Sequence, residues 1–146
     1  GPLTCNLGII RLKGDTLSAA LDIRYPLLIA GERVRDIVDS HLPGFEVTQN
    51  SFKLPHYVPA SSALVQGLLD AYHGVTGREK TTLSTGGGTY ARMLEEGVAF
   101  GASFPEDPDV AHQADEHISI DKLMTSMKIF AHAIINLAGK EGLRDA

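Results

Sequence analysis

The sequence lacks most of the features that would place it in a specialised class of protein. Its 146 residues include one cysteine, Cys5, so neither a disulfide framework nor a thiolate metal cage is available. Its formal net charge of −5 leaves no basic face to neutralise phosphates, which disfavours nucleic acid or an anionic membrane as the main partner. No apolar run is long enough to cross a bilayer, and no signal peptide is recognisable. We therefore expect a cytoplasmic protein.

The first third of the chain has the pattern of a small α+β unit. We predict strands over residues 3–12 and 17–25 around a turn at 13–15, a helix over 32–42 and a strand over 45–54. This β-β-α-β order matches the last four elements of a ferredoxin-like β-α-β-β-α-β unit. We therefore expect the missing strand and helix to come from upstream sequence.

The rest of the chain alternates between helix and strand patterns. After a linker at residues 55–59 we predict helices over 61–75, 89–96 and 120–138, with strands over 81–85 and 98–104. Large apolar residues form one stripe on the last helix, and Ser119 is its predicted N-cap. The fold class is therefore α/β (α+β), with a layered second lobe whose strand ends face a crevice.

A triple-glycine turn is the first candidate site. Gly86, Gly87 and Gly88 allow close approach of backbone to a ligand, and Gly86-x-Gly88-x-x-Ala91 formally matches the dinucleotide fingerprint. The predicted strand before the turn is polar, however, and the turn lies late in the chain. Three interpretations stay open from the residues: a purely structural turn, a loop that contacts another ligand, or a dinucleotide-binding turn.

His112 lies in an acidic segment, residues 105–117, and is the second candidate. An imidazole binds zinc well, and the neighbouring carboxylates, Glu106 and Asp107 among them, favour a cation. The alternative is a surface histidine in a solvated loop. One histidine is too few for a catalytic zinc site, which needs at least three protein ligands.

Arg24 ends the second predicted strand and is the third candidate. Its guanidinium could bind a carboxylate through two hydrogen bonds. A structural ion pair with Asp22, two residues earlier on the same face, is the competing interpretation. Spacing alone does not separate the two.

These features occur in an order that resembles a known family. The segments TCNLGII, LDIRYP, GGGTYAR and AHQADE, followed by a long helix, resemble the C-terminal part of PepV-like dipeptidases, which are aminoacylase-related di-zinc exopeptidases. The resemblance covers essentially the whole chain. It implies that residues 1–55 are the end of a ferredoxin-like lid domain and that residues 56–146 are the C-terminal half of a zinc-exopeptidase catalytic domain.

The resemblance also implies roles for individual residues. His112 would be a zinc ligand, and Arg24 would hold the C-terminal carboxylate of a dipeptide substrate. The substrate pocket would be lined by the glycine turn and the residue after it, namely Gly86, Gly87, Gly88 and Thr89.

The remaining catalytic groups are expected upstream of this chain. The resemblance implies two zinc ions that activate a water and a glutamate general base supplied by the N-terminal remainder of the protein. We therefore expect the isolated chain to be inactive. The alternatives are a dinucleotide-binding module and a non-catalytic interaction or regulatory lobe.

Overall fold

The computed structural model describes residues 2–48, 51–101 and 103–139. Their contacts divide the chain into two compact units. The first comprises Gly1–Tyr57 with Ser84–Gly88, and the second comprises Val58–Leu83 with Thr89–Ala146. The assignment of residues 1–55 to a lid and 56–146 to a catalytic domain stays a prediction.

A long β-hairpin dominates the first unit. Strand β1 (Thr4–Lys13) pairs antiparallel with β2 (Thr16–Arg24), as the alternation of the sequence predicts. The turn between them contains Gly14 at a φ of 59°, a conformation in which glycine has no steric penalty. The register shifts between Leu7 and Ile9, so Gly8 forms a bulge.

Helix α1 (Gly31–His41) follows the hairpin and packs at its N-terminal end against aromatic rings. Tyr25 stacks on Phe52 with ring centroids 6.3 Å apart. A Cβ atom on Gly31 would overlap the Phe52 ring, so only glycine allows this close approach. The prediction of a helix in this region is confirmed, with bounds shifted by one residue at each end.

Two helices form the core of the second unit. Helix α2 (Ala63–Thr76) begins at Ser62, whose hydroxyl accepts a hydrogen bond from the Val65 N–H at 3.2 Å. It ends at Gly77 in the left-handed conformation, with a φ of 69°. Helix α3 (Ile120–Ala138) packs on α2, and the core cluster contains Ala71, Phe104, Ile129 and Ala133.

The face of α3 that packs differs from the predicted one. The buried positions on this helix are Ser126, Ile129 and Ala133. The predicted apolar stripe is largely exposed, since Ile120 is 77% and Ile135 is 67% accessible. Ser119 occupies the N-cap position, but its side chain makes no capping hydrogen bond.

Three predicted strands and one predicted helix are wrong. In the described parts of residues 45–54, 81–85 and 98–104 no strand is present, and the predicted helix over 89–96 is a single 3-10 turn, Tyr90–Met93. A strand needs a neighbour to pair its backbone groups, and these segments find none among the described residues. The short helix buries no residue, so packing does not stabilise it.

No helix within the described ranges is long and apolar enough to cross a membrane.

Candidate functional site

The structure brings together two of the elements that the sequence singles out. Nη1 of Arg24 donates a hydrogen bond to the carbonyl oxygen of Gly86 at 3.0 Å, although 62 residues separate them in the sequence. Both residues belong to the first unit. The end of β2 and the glycine turn are therefore neighbours, and a guanidinium lies directly beside the turn.

Arg24 also contacts Asp22, as the competing interpretation expected. Its Nη2 lies 3.5 Å from Asp22 Oδ2, and the two side chains are 56% and 62% exposed. An ion pair at that distance and exposure contributes little to stability. A guanidinium has five N–H donors, and these two contacts occupy only part of them. Arg24 therefore remains able to donate to a carboxylate ligand.

The glycine turn is not required by the local backbone. The φ angles of Gly86 and Gly87 lie outside the left-handed region. A Cβ atom on Gly86 would meet nothing within 4 Å, and one on Gly87 would meet only the Thr85 hydroxyl, at an ordinary 3.5 Å. Because the described residues would tolerate side chains at Gly86 and Gly87, nothing in the local structure supports a purely structural reason for glycine at these two positions.

The dinucleotide interpretation also loses its structural basis. That fingerprint works when its glycines connect a strand to a helix whose N-terminus faces the pyrophosphate. Residues 81–85 form no strand, and the turn is followed only by the four residues of Tyr90–Met93. Thr89, the last residue of the predicted substrate pocket, is extended and precedes this 3-10 turn.

His112 lies at the middle of a long loop in the second unit. It is exposed, and it has a φ of 61°, in the left-handed region that non-glycine residues seldom occupy. Its backbone N–H donates to Glu116 Oε2 at 3.2 Å, and Asp115 has a similar φ of 60°. Such strained residues often accompany functional loops. No residue that the structure describes makes a hydrogen bond to the His112 ring, which leaves its nitrogens accessible.

Two carboxylates of the acidic segment pair with cationic side chains of the chain, whereas the sequence predicted that they would favour a bound cation. Glu106 accepts two hydrogen bonds from Arg78, both at 2.7 Å, and Asp107 is bonded to Lys122. Glu106 and Asp107 therefore do not contribute to the negative field that the sequence predicts for the acidic segment, because each faces a cation of the chain. Among the described residues, no three His, Cys, Asp or Glu side chains gather in a way that could hold a metal.

The ion pairs shift the protonation equilibria of their members. Hydrogen bonds from Arg78 lower the pKa of Glu106 to about 2, and the bond to Lys122 lowers the pKa of Asp107. In turn, Glu106 raises the pKa of Arg78, and Asp107 raises that of Lys122. All four groups therefore stay charged at neutral pH.

One residue of this cluster is weakly indicated by the sequence. Lys122 lies in the first turn of α3, where the helix dipole disfavours a cation. A carboxylate nearby offsets this cost. The partners themselves, 15 and 28 residues apart in the sequence, follow from the fold alone.

Comparison with known proteins places these residues in a family. The sequence model of "Peptidase family M20/M25/M40" matches residues 5–136. The chain is 43% identical over 139 residues to "Putative dipeptidase YtjP" of Bacillus subtilis (strain 168), covering 94% of this chain and 30% of that protein. It is 40% identical over 123 residues to "Beta-Ala-Xaa dipeptidase" of Lactobacillus delbrueckii subsp. lactis, covering 84% of this chain and 26% of that protein.

A third relative is also named as a dipeptidase. "Putative dipeptidase SAUSA300_1697" of Staphylococcus aureus (strain USA300) is 35% identical over 144 residues, which is 97% of this chain and 31% of that protein. The chain thus spans about a third of the length of the curated relatives that it matches. The family match extends over most of both units, from the hairpin to α3. The chain belongs to peptidase family M20/M25/M40.

Proposed function

We propose that this chain is part of a metal-dependent dipeptidase, which hydrolyses the peptide bond of short peptides that carry a free C-terminal carboxylate. Family membership and the dipeptidase names of three relatives support the reaction class. The observation that carries the proposal is the hydrogen bond between Arg24 and Gly86, since it joins the two predicted substrate-binding elements.

Arg24 would bind the substrate carboxylate. Its bond to the Gly86 carbonyl and its contact with Asp22 hold the guanidinium at the end of β2, so less side-chain freedom is lost when a ligand binds. Gly86, Gly87, Gly88 and Thr89 would line the adjacent pocket. The open space at Gly86 leaves room for a ligand to approach the main chain.

His112 would supply one ligand to a catalytic metal. It fits that role as a single donor, because the residue is exposed and its backbone N–H donates a hydrogen bond to Glu116. A bound divalent cation would lower the pKa of a water and polarise the scissile carbonyl. Two zinc ions are our expectation for the complete enzyme.

Other parts of the protein would supply the remaining groups. The described residues contain no three-ligand cluster, so further metal ligands and the general base would come from the N-terminal remainder. The same remainder would cover apolar side chains that lie open here, such as Leu28 and Tyr90, which are 95% and 96% exposed. A cytoplasmic location stays a prediction.

The proposal is tested by the dependence of the complete enzyme on a free carboxylate. Dipeptides and their C-terminal amides would be compared in the wild type and in Arg24→Ala. A hydrogen bond to a charged group is worth about 1.5–3 kcal/mol, so we expect Arg24→Ala to lose roughly 10- to 150-fold in kcat/KM on dipeptides. The variant should also lose most of the preference for free acids over amides.

Arg11→Ala is the matched control, because Arg11 is an exposed arginine on β1 of the same hairpin. It should retain both the activity and the preference. An Arg24→Ala enzyme that still prefers free acids as strongly as the wild type would remove Arg24 from the carboxylate site. An absence of peptide hydrolysis by the complete protein loaded with zinc would overturn the proposed function itself.

A further inference from the structure

The loop that carries His112 is closed at its base by an ion pair. Asp107 and Lys122 are bonded to each other although they are 15 residues apart, and His112 lies between them. We call residues 107–122 the His112 loop. Apart from the first turn of α3, its described residues form neither helix nor strand, so closure at the base and local hydrogen bonds determine its conformation.

A second ion pair fixes the start of this loop to the end of α2. Both terminal nitrogens of Arg78 donate to the two carboxylate oxygens of Glu106, at 2.7 Å each. The backbone of Arg78 is itself held, because its N–H donates to the Thr76 hydroxyl at 3.2 Å and its carbonyl oxygen lies 2.7 Å from His73 Nδ1. A two-pronged bond from a fixed arginine defines both the position and the orientation of Glu106.

Phe104 connects the two ion pairs to the hydrophobic core. Its ring is 8% exposed and packs with Ala71 and Ile129. The Arg78 guanidinium lies 5.2 Å and the Lys122 ammonium 5.9 Å from its centroid, and its N–H donates to Asp107 at 2.7 Å. The base of the loop is therefore attached to the packed part of the second unit.

The cluster is not itself suited to bind a charged ligand. Two cations face two carboxylates, and Lys122 also lies 3.5 Å from Glu106. An open cavity of about 250 Å³ is lined by Arg78, Glu106 and Lys122 among others, and these charged groups already face partners of opposite charge. The ion-pair cluster therefore has a structural role: it connects the C-terminal end of α2 and the first turn of α3 to the residues that lead into the loop.

We propose that Arg78 and Lys122 are positioning residues for His112: by fixing Glu106 and Asp107, they hold the His112 loop in the conformation that presents the imidazole to a divalent cation. This inference rests on the proposed role of His112 as a metal ligand. His112 adopts a left-handed φ of 61°, a conformation that costs free energy and persists only where the surrounding structure holds it. Groups hydrogen-bonded directly to a metal ligand typically change metal affinity about 10- to 100-fold, and Arg78 and Lys122 act one step further from the ligand.

The test measures zinc affinity by competition with a chelator in the complete protein. We expect Arg78→Ala and Lys122→Ala each to weaken zinc binding about tenfold, at the low end of the range for outer groups. Lys122→Arg should restore the affinity, because it keeps the cation and its hydrogen bonds to carboxylate. Amide hydrogen exchange over residues 108–117 should accelerate in the alanine variants and return to the wild-type rate in Lys122→Arg.

Lys80→Ala is the matched control. Lys80 forms an ion pair with Asp70 at 2.6 Å in the same unit, and both residues lie outside the His112 loop in the sequence. Its loss should leave zinc affinity and loop exchange unchanged. Should an alanine variant fail to fold, as judged by its thermal unfolding, Glu106→Gln replaces it, since that change removes one charge at constant size.

Two further outcomes separate this inference from the proposed function. If His112→Ala loses zinc while Arg78→Ala and Lys122→Ala bind it as the wild type does, the positioning role is refuted and the metal role of His112 stands. If His112→Ala retains full zinc affinity, His112 is no ligand, and the positioning inference is refuted together with that part of the proposed function.

Discussion

Gly86→Ala tests whether glycine at position 86 is required for folding or for binding a ligand. The backbone of Gly86 has a φ that any residue can adopt, and an added Cβ would meet nothing within 4 Å. Its hydrogen bond to Arg24 uses the main-chain carbonyl, which alanine keeps. The described residues therefore leave room for the methyl group, so a loss of activity in a variant as stable as the wild type would come from the ligand.

We expect Gly86→Ala to change stability and activity in opposite directions. Replacing a glycine by alanine at a compatible φ stabilises a protein by about 0.4–1 kcal/mol through the unfolded state. A methyl group forced into a filled contact costs about 1–3 kcal/mol, which corresponds to roughly 5- to 150-fold in kcat/KM. We therefore expect Gly86→Ala to be as stable as the wild type or more so, and markedly less active.

The assay pairs chemical denaturation with dipeptide hydrolysis by the complete enzyme. Gly74→Ala is the control, because a Cβ at this position of α2 also meets nothing within 4 Å. The free energy of unfolding of Gly74→Ala should rise by about 0.5–1 kcal/mol, as expected for alanine in place of a helical glycine, and its kcat/KM should be that of the wild type. Wild-type kcat/KM in Gly86→Ala would refute the claim that substrate approaches the main chain at this turn.

Two further predictions concern the chain itself. Gly77→Ala should destabilise by about 1–2 kcal/mol, measured as a lower denaturation midpoint, because Gly77 ends α2 with a φ of 69°; an unchanged midpoint would contradict the assignment of that cap. The isolated chain with added zinc should not hydrolyse dipeptides, because its described residues contain no three-ligand metal cluster; measurable turnover by the pure chain would overturn this.

Elements defined by neighbouring residues were predictable from the sequence. The hairpin of β1 and β2 follows from alternation on both sides of a Gly-Asp turn, and all its pairing is between adjacent segments. Helix α2 has a serine at its start and a glycine at its end, and both act as caps in the structure. Such local signals do not depend on the rest of the protein.

Elements that depend on distant partners were not predictable. The strand patterns at 45–54 and 81–85 need pairing partners, and hydrophobic alternation does not reveal whether these are present. On α3 the sequence indicated the face rich in large apolar residues, but α2 packs against the face that contains Ser126 and Ala133. Small residues allow two helices to approach closely, as at Gly67, where a Cβ would lie 2.6 Å from Leu137.

In the candidate site too, some features were predictable from the sequence and others follow only from the fold. Arg24, the glycine turn and His112 were identified from residue type and motif order, which a sequence records. The contact between Arg24 and Gly86 joins positions 62 residues apart and follows only from the fold. The ion pairs of Arg78 and Lys122 are also long-range, and they neutralise two of the carboxylates of the acidic segment, Glu106 and Asp107, within the chain.

Those ion pairs predict how the His112 loop responds to acid. The hydrogen bonds from Arg78 lower the pKa of Glu106 to about 2, whereas an unfolded glutamate titrates near about 4.3. Because the folded pKa is the lower one, the stabilisation is complete above the unfolded value and is lost as the pH falls through about 2. Asp107, whose pKa the bond to Lys122 also lowers, changes stability in the same direction.

Amide hydrogen exchange in the complete protein measures this loss of stabilisation directly at the residues around Glu106. The wild type should protect residues 104–110 better than Glu106→Gln at neutral pH, since the variant lacks the charge that Arg78 binds. Comparing the two proteins at each pH removes the intrinsic pH dependence of exchange, and their difference should shrink as Glu106 becomes protonated. A difference that stays constant down to a pH of about 2 would mean that the charge of Glu106 does not hold the loop, and hydrogen bonding by a neutral side chain would then account for the contact with Arg78.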